Sequence, residues 1–167
     1  MIQECEMSTS KIARTASFIG LAGVLAALDQ LTKYLLVGAI PLNTGIPIIP
    51  GLLNLVHVHN KGGAFSVFAG SESPWRQYIF IGLAVLVIAA IAYAYGKAGK
   101  KDNWIRIAYI FIAGGACGNL IDRIRLGEVV DFIDVYAGNW HWPAFNVADA
   151  ALSTGAVMLL VSLIWKK

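Results

Sequence analysis

Three aspartates in one short stretch could do chemistry together: Asp131, Asp134 and Asp149, within "GEVVDFIDVYAGNWHWPAFNVADAAL". Two carboxyl groups held close together cannot both ionise cheaply, so such a pair tends to share one proton. The ionised carboxylate can take a proton from water, and the protonated carboxyl group can donate one to an amide nitrogen. The stretch therefore predicts hydrolysis of a peptide bond without a covalent intermediate.

The surroundings of the three aspartates differ. Asp131 lies in "VVDFID", and in an extended segment its side chain would point away from those of its immediate neighbours. Asp149 follows Asn146 by three residues, so a helix that begins there would have Asn146 as its N-cap and Asp149 near the positive end of the helix dipole. Asp149 has a simpler alternative, as an acid that only compensates the dipole. Asp134 is the weaker candidate and is expected to orient the segment or meet water.

The rest of the chain is apolar. Of its 167 residues, 57% are hydrophobic and 14% are charged, and the mean hydropathy is +0.66. Soluble domains carry about one quarter charged residues. We therefore predict one polytopic membrane domain over residues 1–167. The net charge of +3 gives no case for a nucleic-acid partner. Cys5 and Cys117 fit neither a disulfide framework nor a zinc motif.

Four membrane spans are predicted, at about residues 15–40, 78–95, 104–122 and 147–165, because a helical span needs about 20 apolar residues. Pro41 ends the first span, and residues 1–14 precede it as an N-terminal segment. A cleaved signal peptide is the alternative for the first span, but the "AALDQ" that follows its apolar stretch is a poor cleavage site. The predicted fold is a mainly α membrane protein with four transmembrane helices and a small outer β element.

The charged residues predict the orientation. An even number of spans places both termini on one side, together with eight of the thirteen Lys and Arg residues: Lys11, Arg14, Lys97, Lys100, Lys101, Arg106, Lys166 and Lys167. The positive-inside rule then puts both termini in the cytoplasm. The other side receives most of the acids, Asp29, Glu72, Asp122, Glu128, Asp131, Asp134 and Asp149, and all three histidines. We expect the chemistry on this outer face.

The outer β element is predicted at about residues 43–70. The segment "LLNLVHVHNKGGAFSVF" alternates and then turns at "NKGG", which is typical of a short β-hairpin. Its apolar edges suit a surface that rests on lipid or grips a chain. Between the last two spans, "GNWHWP" predicts an aromatic, turn-prone segment at the membrane interface.

Polar residues within the spans could support the site. Asn119 and Arg123 are four residues apart and share one face of the third helix. That helix also carries Gly114, Gly115 and Gly118, a small-residue surface for close packing. Asp29 and Lys33 are also four apart in the first span. Ionisable groups at that depth usually face the protein interior. Two interpretations of this pair stay open, a structural ion pair and a role in handling substrate.

Five motifs in this order resemble the lipoprotein signal peptidases, also called signal peptidase II: "DQLTK", "NKGGAF", "GGACGNLIDR", "VVDFID" and "FNVAD". The resemblance extends from the first span to the last. It implies an aspartic intramembrane peptidase of the bacterial inner membrane, with its active site at the periplasmic face. Such an enzyme removes the signal peptide from diacylglyceryl-modified prolipoproteins, cutting before the lipidated cysteine. The cyclic peptide globomycin inhibits the family.

The resemblance also implies residue roles. Asp131 and Asp149 would be the catalytic dyad. The polar residues that would shape or brace the site are Asp29, Lys33, Asn60, Gly62, Asn119, Arg123 and Asn146. No metal or organic cofactor is expected. The implied partners are the prolipoprotein substrate, membrane lipids and globomycin.

Two alternatives compete with this interpretation. His57, His59 and His141 could in principle hold zinc, although a helical H-E-x-x-H motif is absent. A small transporter or assembly factor could use Asp29 and Asp149 to relay protons or ions. Internal repeats would favour a transporter, and none is visible.

Overall fold

The computed structural model describes residues 2–62, 75–99 and 102–165, with side chains from residue 12 onward. In chain order its elements are α1 (Ile2–Ala39), β1 (Gly45–Ile49), β2 (Leu53–Asn60), α2 (Trp75–Lys97), α3 (Asn103–Leu126), β3 (Val129–Ala137), β4 (Trp140–His141) and α4 (Val147–Trp165). Within the described part, four helical segments are long and apolar enough to cross a membrane: Ile12–Ala39, Trp75–Lys97, Asn103–Leu126 and Val147–Trp165. The predicted fold class, four spanning helices with a small β element, is confirmed.

Three helices are longer than the spans predicted from hydropathy. The helix α1 already begins at Ile2, so most of the predicted segment 1–14 belongs to it. Hydropathy marks only the apolar part of a helix, whereas backbone hydrogen bonding continues into its polar ends. The helix α3 continues to Leu126, where Gly127 adopts a left-handed φ of 78° and its N–H bonds to the carbonyl of Arg123 at 3.1 Å. Glycine takes this C-terminal conformation without a Cβ penalty.

The central helix is α3, which packs against each of the other three helices. Small residues allow two of these helices to approach closely. A Cβ on Gly115 would collide with the carbonyl oxygen of Ala148, and a Cβ on Gly155 would lie 2.7 Å from the carbonyl oxygen of Ala108. Close backbone approach through small residues is how membrane helices commonly associate. The predicted packing on the glycine face of α3 is confirmed.

Outside the four helices, the described part of the chain forms one antiparallel sheet of order β1-β2-β3-β4. The hairpin of β1 and β2 turns at residues 50–52, with Gly51 at φ 82°. The strand β1 lies within the predicted β element of residues 43–70, although the sequence did not predict this hairpin. The predicted turn at "NKGG" begins where β2 ends, and the strand predicted after it lies outside the described residues. Residues 63–70 of the predicted β element lie outside the described residues.

An apolar cluster holds this sheet against the helices. Its buried members are Leu36 and Ile40 at the end of α1 and Phe132 on β3, and Val147 at the start of α4 packs against them. Burying this apolar surface fixes the three elements relative to one another. As a result, the middle of β3 lies beside the first turn of α4.

Candidate active site

Asp131 lies in the middle of β3 and is 2% exposed. Its strand pairs with β2, where Val58 is its register partner. Both carboxylate oxygens are held by amides: Asn60 Nδ2 donates to Oδ2 at 3.0 Å, and Asn146 Nδ2 donates to Oδ1 at 2.7 Å. These bonds fix the direction of the carboxyl group inside the protein.

Asp149 lies in the first turn of α4 and takes part in its cap. The side-chain oxygen of Asn146 accepts the N–H of Asp149 at 2.9 Å, and Asp149 Oδ2 accepts the N–H of Asn146 at 3.3 Å. This reciprocal pair is a capping box, so the predicted N-cap is confirmed. The other carboxylate oxygen of Asp149 accepts from Asn119 Nδ2 at 2.8 Å. The carboxylate therefore both caps the helix and faces the cluster around Asn146.

Asn146 joins the two aspartates. Its side chain is fully buried, and its Nδ2 lies 2.7 Å from Asp131 Oδ1, 3.1 Å from the carbonyl of Val130 and 3.2 Å from Asn119 Oδ1. Asp131 and Asp149 thus hydrogen-bond to the same asparagine from two different elements. The buried Asn146 thus brings a buried carboxyl group and a half-buried one into one hydrogen-bonded cluster.

The environment changes the acidity of Asp131. Burial raises its pKa to about 7, and the charge of Asp149 acts in the same direction. The hydrogen bonds from Asn60 and Asn146 and the charge of Lys33 oppose this rise. With this pKa the carboxyl group is present in both its protonated and its ionised form near neutral pH, which suits a general acid or base.

A buried charge cluster lies next to the two aspartates. Lys33 Nζ lies 2.7 Å from Asp29 Oδ2 and 2.7 Å from Asp122 Oδ2, and it donates to Asn119 Oδ1 at 3.2 Å. Asp29 is 0% exposed, and Lys33 and Asp122 are each 3% exposed. Buried charges need such pairing because desolvation is costly. The predicted ion pair of Asp29 and Lys33 is present, with a second carboxylate added.

This charge cluster also holds the backbone of the site. Asp29 Oδ1 accepts the N–H of Ala148 at 2.9 Å, and Asp122 Oδ2 accepts the N–H of Val130 at 3.2 Å. Gly118 makes room for it, because a Cβ there would lie 2.7 Å from Asp29 Oδ2. The cluster therefore positions both elements that carry the candidate aspartates.

Two members of this network were missed as site residues in the sequence. Asp122 lies three residues after Asn119 on the same helix, a spacing that places both on one face and could have identified it. Gln30 Nε2 donates to Asp122 Oδ1 at 2.8 Å and to the carbonyl of Gly118 at 3.1 Å. Nothing in the sequence distinguishes Gln30 from an ordinary polar residue.

Arg123 links the loop after β2 to the same pocket. Its Nη2 donates to the carbonyl of Gly62 at 2.7 Å, and its guanidinium lies 4.3 Å from the centre of the Phe80 ring. The N–H of Gly62 donates to Asn60 Oδ1 at 2.9 Å, and Asn60 in turn holds Asp131. One connected network thus contains every site residue named from the resemblance: Asp29, Lys33, Asn60, Gly62, Asn119, Arg123, Asp131, Asn146 and Asp149.

Arg123→Lys is expected to lower kcat/KM about tenfold, because an ammonium cannot hold the Gly62 carbonyl and stack on Phe80 at once. The control is Arg125→Lys, since Arg125 is exposed and, within the described part of the chain, makes only a long 3.3 Å contact to Gln30. Initial rates of peptide cleavage measure both variants. Wild-type rates for Arg123→Lys would show that only the positive charge matters.

The three histidines do not converge on one point. His57 Nδ1 meets the carbonyl of Ile40 at 2.8 Å, which can only accept, so this nitrogen carries the hydrogen. His57 Nε2 lies 3.2 Å from His59 Nε2, and His59 Nδ1 pairs with Glu128. His141 lies on β4, with β3 between it and the other two. In the described part of the chain no three His, Cys, Asp or Glu side chains are placed to hold a metal ion, so the zinc alternative has no site in these histidines.

Asp134 has partners of its own. It contacts His141 Nδ1 at 2.8 Å and accepts from Asn54 Nδ2 at 2.8 Å. Burial alone would raise its pKa, but the hydrogen bonds from His141 and Asn54 and the charge of His141 outweigh it, so the pKa lies below its usual value. Asp134 thus joins β3 to its neighbouring strands, which fits the orienting role expected for it.

A family model described as signal peptidase (SPase) II matches residues 21–165. The chain belongs to the signal peptidase II family. It is 43% identical to the lipoprotein signal peptidase of Nitratidesulfovibrio vulgaris over 145 residues, 87% of each chain. It is 45% identical to that of Vibrio parahaemolyticus over 122 residues, which cover 73% of this chain and 71% of the relative.

Solved structures agree with the signal peptidase II assignment. Two bacterial membrane enzymes determined by the in meso method superpose with TM-scores of 0.79 and 0.77, at 28% and 29% identity. Each comparison covers 89% of this chain, and 88% and 92% of the other chain. The predicted resemblance is confirmed. As a signal peptidase II, the chain is a multi-pass membrane protease of lipoprotein processing that removes signal peptides from prolipoproteins. Membership of this protease family supports the prediction of hydrolysis and argues against the transporter alternative.

Proposed function

We propose that this signal peptidase II is an aspartic endopeptidase in which Asp131 and Asp149 activate water. The observation that carries the proposal is the convergence of both carboxyl groups on buried Asn146. One carboxylate takes a proton from water while the water oxygen forms a bond to the scissile carbonyl carbon. The other carboxyl group then gives its proton to the amide nitrogen as the carbon–nitrogen bond breaks. The pKa of about 7 at Asp131 suits a dyad that holds one shared proton at neutral pH.

The remaining polar residues act through this dyad. Asn119 and Asn146 hold the two carboxyl groups, and Asn60 holds Asp131 from the adjacent strand. Asp29, paired with Lys33, accepts a hydrogen bond from the start of α4. Arg123 holds the backbone at Gly62, whose N–H bonds to Asn60. Fixing the reacting groups before substrate arrives avoids a reorganisation cost during the reaction.

We infer that the site faces the periplasm, with both termini in the cytoplasm of a bacterial inner membrane. Three basic residues lie at one end of the helices. Arg14 is near the start of the membrane-spanning part of α1, Lys97 is at the end of α2, and Arg106 is near the start of α3. Asp131 lies on the sheet at the opposite ends of these helices. The positive-inside rule assigns the basic end to the cytoplasm.

The proposed substrate is a prolipoprotein whose cysteine already carries diacylglycerol, cut just before that cysteine. A lipid-modified chain stays in the bilayer, so its scissile bond must meet water at the membrane boundary. The dyad lies where the first turn of a spanning helix meets the outer sheet. This position suits a substrate of that kind, and globomycin is expected to compete for it.

The decisive experiment uses the purified protein in lipid nanodiscs with a diacylglyceryl-modified prolipoprotein. Mass spectrometry of the products should show cleavage before the modified cysteine, inhibition by globomycin and no effect of a metal chelator. The matched control is the same prolipoprotein without diacylglycerol, which should remain uncut. Cleavage at another bond, or activity that a chelator abolishes, would contradict the proposal.

The activity should fall as the pH rises through about 7, because Asp131 then loses the proton that the dyad must share. The Asn60 amide stabilises the ionised form, so Asn60→Ala should move this basic limb of kcat/KM to higher pH. Asn54→Ala is the matched control, since it removes an amide–carboxylate bond on the same strand that serves Asp134. A limb that stays in place in Asn60→Ala, or that moves equally in Asn54→Ala, would contradict the assignment.

The raised pKa of Asp131 also makes the stability of the folded protein depend on pH. The pKa of Asp131 is raised in the folded chain above the ordinary value of 3.8, so protonation favours folding. This contribution is fully present below that ordinary value and is lost as the pH rises through about 7. Thermal unfolding of Asp131→Asn should therefore depend less on pH between these limits than that of the wild type.

A further inference from the structure

The edge strand β1 exposes apolar side chains that no described element covers. All five of its residues are exposed. Ile46, Ile48 and Ile49 are 48%, 49% and 47% exposed, and the flanking Leu42 and Leu52 are 50% and 51% exposed. We call these five side chains the β1 edge. Large exposed apolar side chains that are grouped in one short segment indicate an interaction surface.

The charge pattern around the β1 edge indicates an apolar partner. Between Lys33 and Lys61 the chain has no Asp, Glu, Lys or Arg residue. Strands that lie at an aqueous sheet edge are usually protected by charged side chains, which prevent pairing with other strands. The β1 edge lacks this protection, so its surroundings must be favourable for isoleucine and leucine.

The backbone of β1 argues against an added strand as that partner. Pro47 lies inside the strand and Pro50 follows it directly. Proline has no N–H, so a further strand would find an incomplete ladder along this short edge. Recognition of an extended peptide by strand addition depends on that ladder. Apolar side chains that enter lipid do not use that ladder, and the unpaired backbone groups of the strand can stay among the hydrated headgroups.

The position of the β1 edge brings it close to the lipid bilayer, which is an apolar phase. The helix α1 ends at Ala39, and Tyr34 and Leu35 in its last turns are 78% and 59% exposed, as expected of a lipid-facing surface. The connection to β1 is folded tightly: the N–H of Asn43 donates to the carbonyl of His57 at 2.7 Å. Because so few residues separate the helix end from Gly45, β1 stays within about 20 Å of it. Only a few residues therefore separate the exposed apolar end of α1 from the β1 edge.

The opposite edge of the sheet has the same character. On and beside β4, Trp140 and Trp142 are 59% and 46% exposed, with ring centres 6.1 Å apart. Tryptophan is enriched where membrane meets water. Both edges of the sheet thus carry side chains suited to the interface, and β3 with Asp131 lies between β2 and β4.

We propose that the β1 edge inserts into the lipid leaflet on the side of the membrane where α1 ends. Insertion at β1, together with the two tryptophans at β4, holds the sheet along the bilayer surface at a fixed depth. Since Asp131 is part of that sheet, the depth at which a peptide bond can be reached is fixed as well. The partner is the lipid itself, and the inference does not depend on the catalytic roles proposed above.

Depth-dependent quenching tests the insertion. Both native cysteines are first replaced, as Cys5→Ser and Cys117→Ala, and Ile48→Cys then provides a single attachment site for an environment-sensitive fluorophore. The labelled protein is placed in nanodiscs that contain doxyl lipids, whose nitroxide quencher lies near the headgroup. The same label at Lys61→Cys, an exposed charged position at the end of β2, is the aqueous control. Leu160→Cys, 60% exposed on α4, is the control within lipid.

Insertion predicts that the Ile48 label is quenched roughly twofold or more relative to the Lys61 label, with a blue-shifted emission. Quenching equal to that at Lys61 would overturn the proposal. A blue shift without quenching would also overturn it, because it would mean that protein, such as a second copy of the chain, covers the edge. Moving the nitroxide to the end of the acyl chain should weaken quenching at Ile48 but not at Leu160. Catalysis is not needed for this readout, so its failure is distinguishable from failure of the proposed dyad.

Discussion

Asp131→Asn and Asp149→Asn are each expected to lower the rate of prolipoprotein cleavage by about 10²–10⁴-fold, the range typical of a lost general acid or base. An amide has nearly the same shape as a carboxyl group, but it neither takes a proton from water nor gives one to a leaving nitrogen. Each variant would therefore leave half of the proposed acid–base pair. Initial rates on the diacylglyceryl-modified substrate, with folding checked by thermal unfolding, measure the effect.

The matched control is Asp134→Asn, which changes the same residue type on the same strand as Asp131. Because Asp134 bonds to His141 and Asn54, its loss should leave most of the activity. The double variant of Asp131 and Asp149 should be little worse than either single variant, since residues that act as a unit are not additive. An Asp134→Asn variant as inactive as Asp131→Asn would require a different choice of dyad.

Lys33→Met is expected to destabilise the protein by about 3–5 kcal/mol, because it leaves buried carboxylates without their cation. Lys33 lies 2.7 Å from both Asp29 and Asp122, and all three are almost completely buried. A loss of this size is a large part of the about 5–15 kcal/mol that stabilises a typical domain. Thermal unfolding in detergent and the yield of inserted protein report it.

Two comparisons separate this effect from a general loss of positive charge. Lys97→Met removes a lysine at the end of α2, where it contacts only the Tyr93 ring at 5.5 Å among its described partners, and should cost little. The double variant Lys33→Met, Asp122→Asn should recover part of the lost stability, since it also removes one of the orphaned charges. If Lys33→Met unfolded at the wild-type temperature, the buried cluster would have to be neutral in the folded protein.

The sequence is informative wherever local chemistry decides the structure. Apolar runs of sufficient length identify the four helices, and α4 has the predicted bounds because Asn146 is a strong cap at the end of an extended segment. The strand β1 shows the limit of such rules, because it lies within the predicted β element but was not predicted as a separate strand. Pro47 argues against a strand in general, but at the edge of a sheet its missing N–H costs nothing.

The site was predictable in part for a related reason. Two aspartates that could share a proton are visible in the sequence, but nothing local shows that Asn146 holds both of them. The place of Asp29 and Lys33 depends on contacts with α3 and the start of α4, at large separation along the chain. Asp122 could have been found from its spacing to Asn119, whereas the arrangement of such buried networks depends on the tertiary fold.

The N-terminal cap of α4 has a consequence for the temperature at which the protein loses activity and for its response to mutation. The two hydrogen bonds with Asn146 that begin α4 also position Asp149. Fraying of the first turn of α4 would therefore turn the Asp149 carboxyl group away from Asn146. Local openings of this kind occur well below global melting. Inactivation on warming should then precede loss of the fold, and a mutation that strengthens the start of α4 should widen the temperature range over which the protein can turn over.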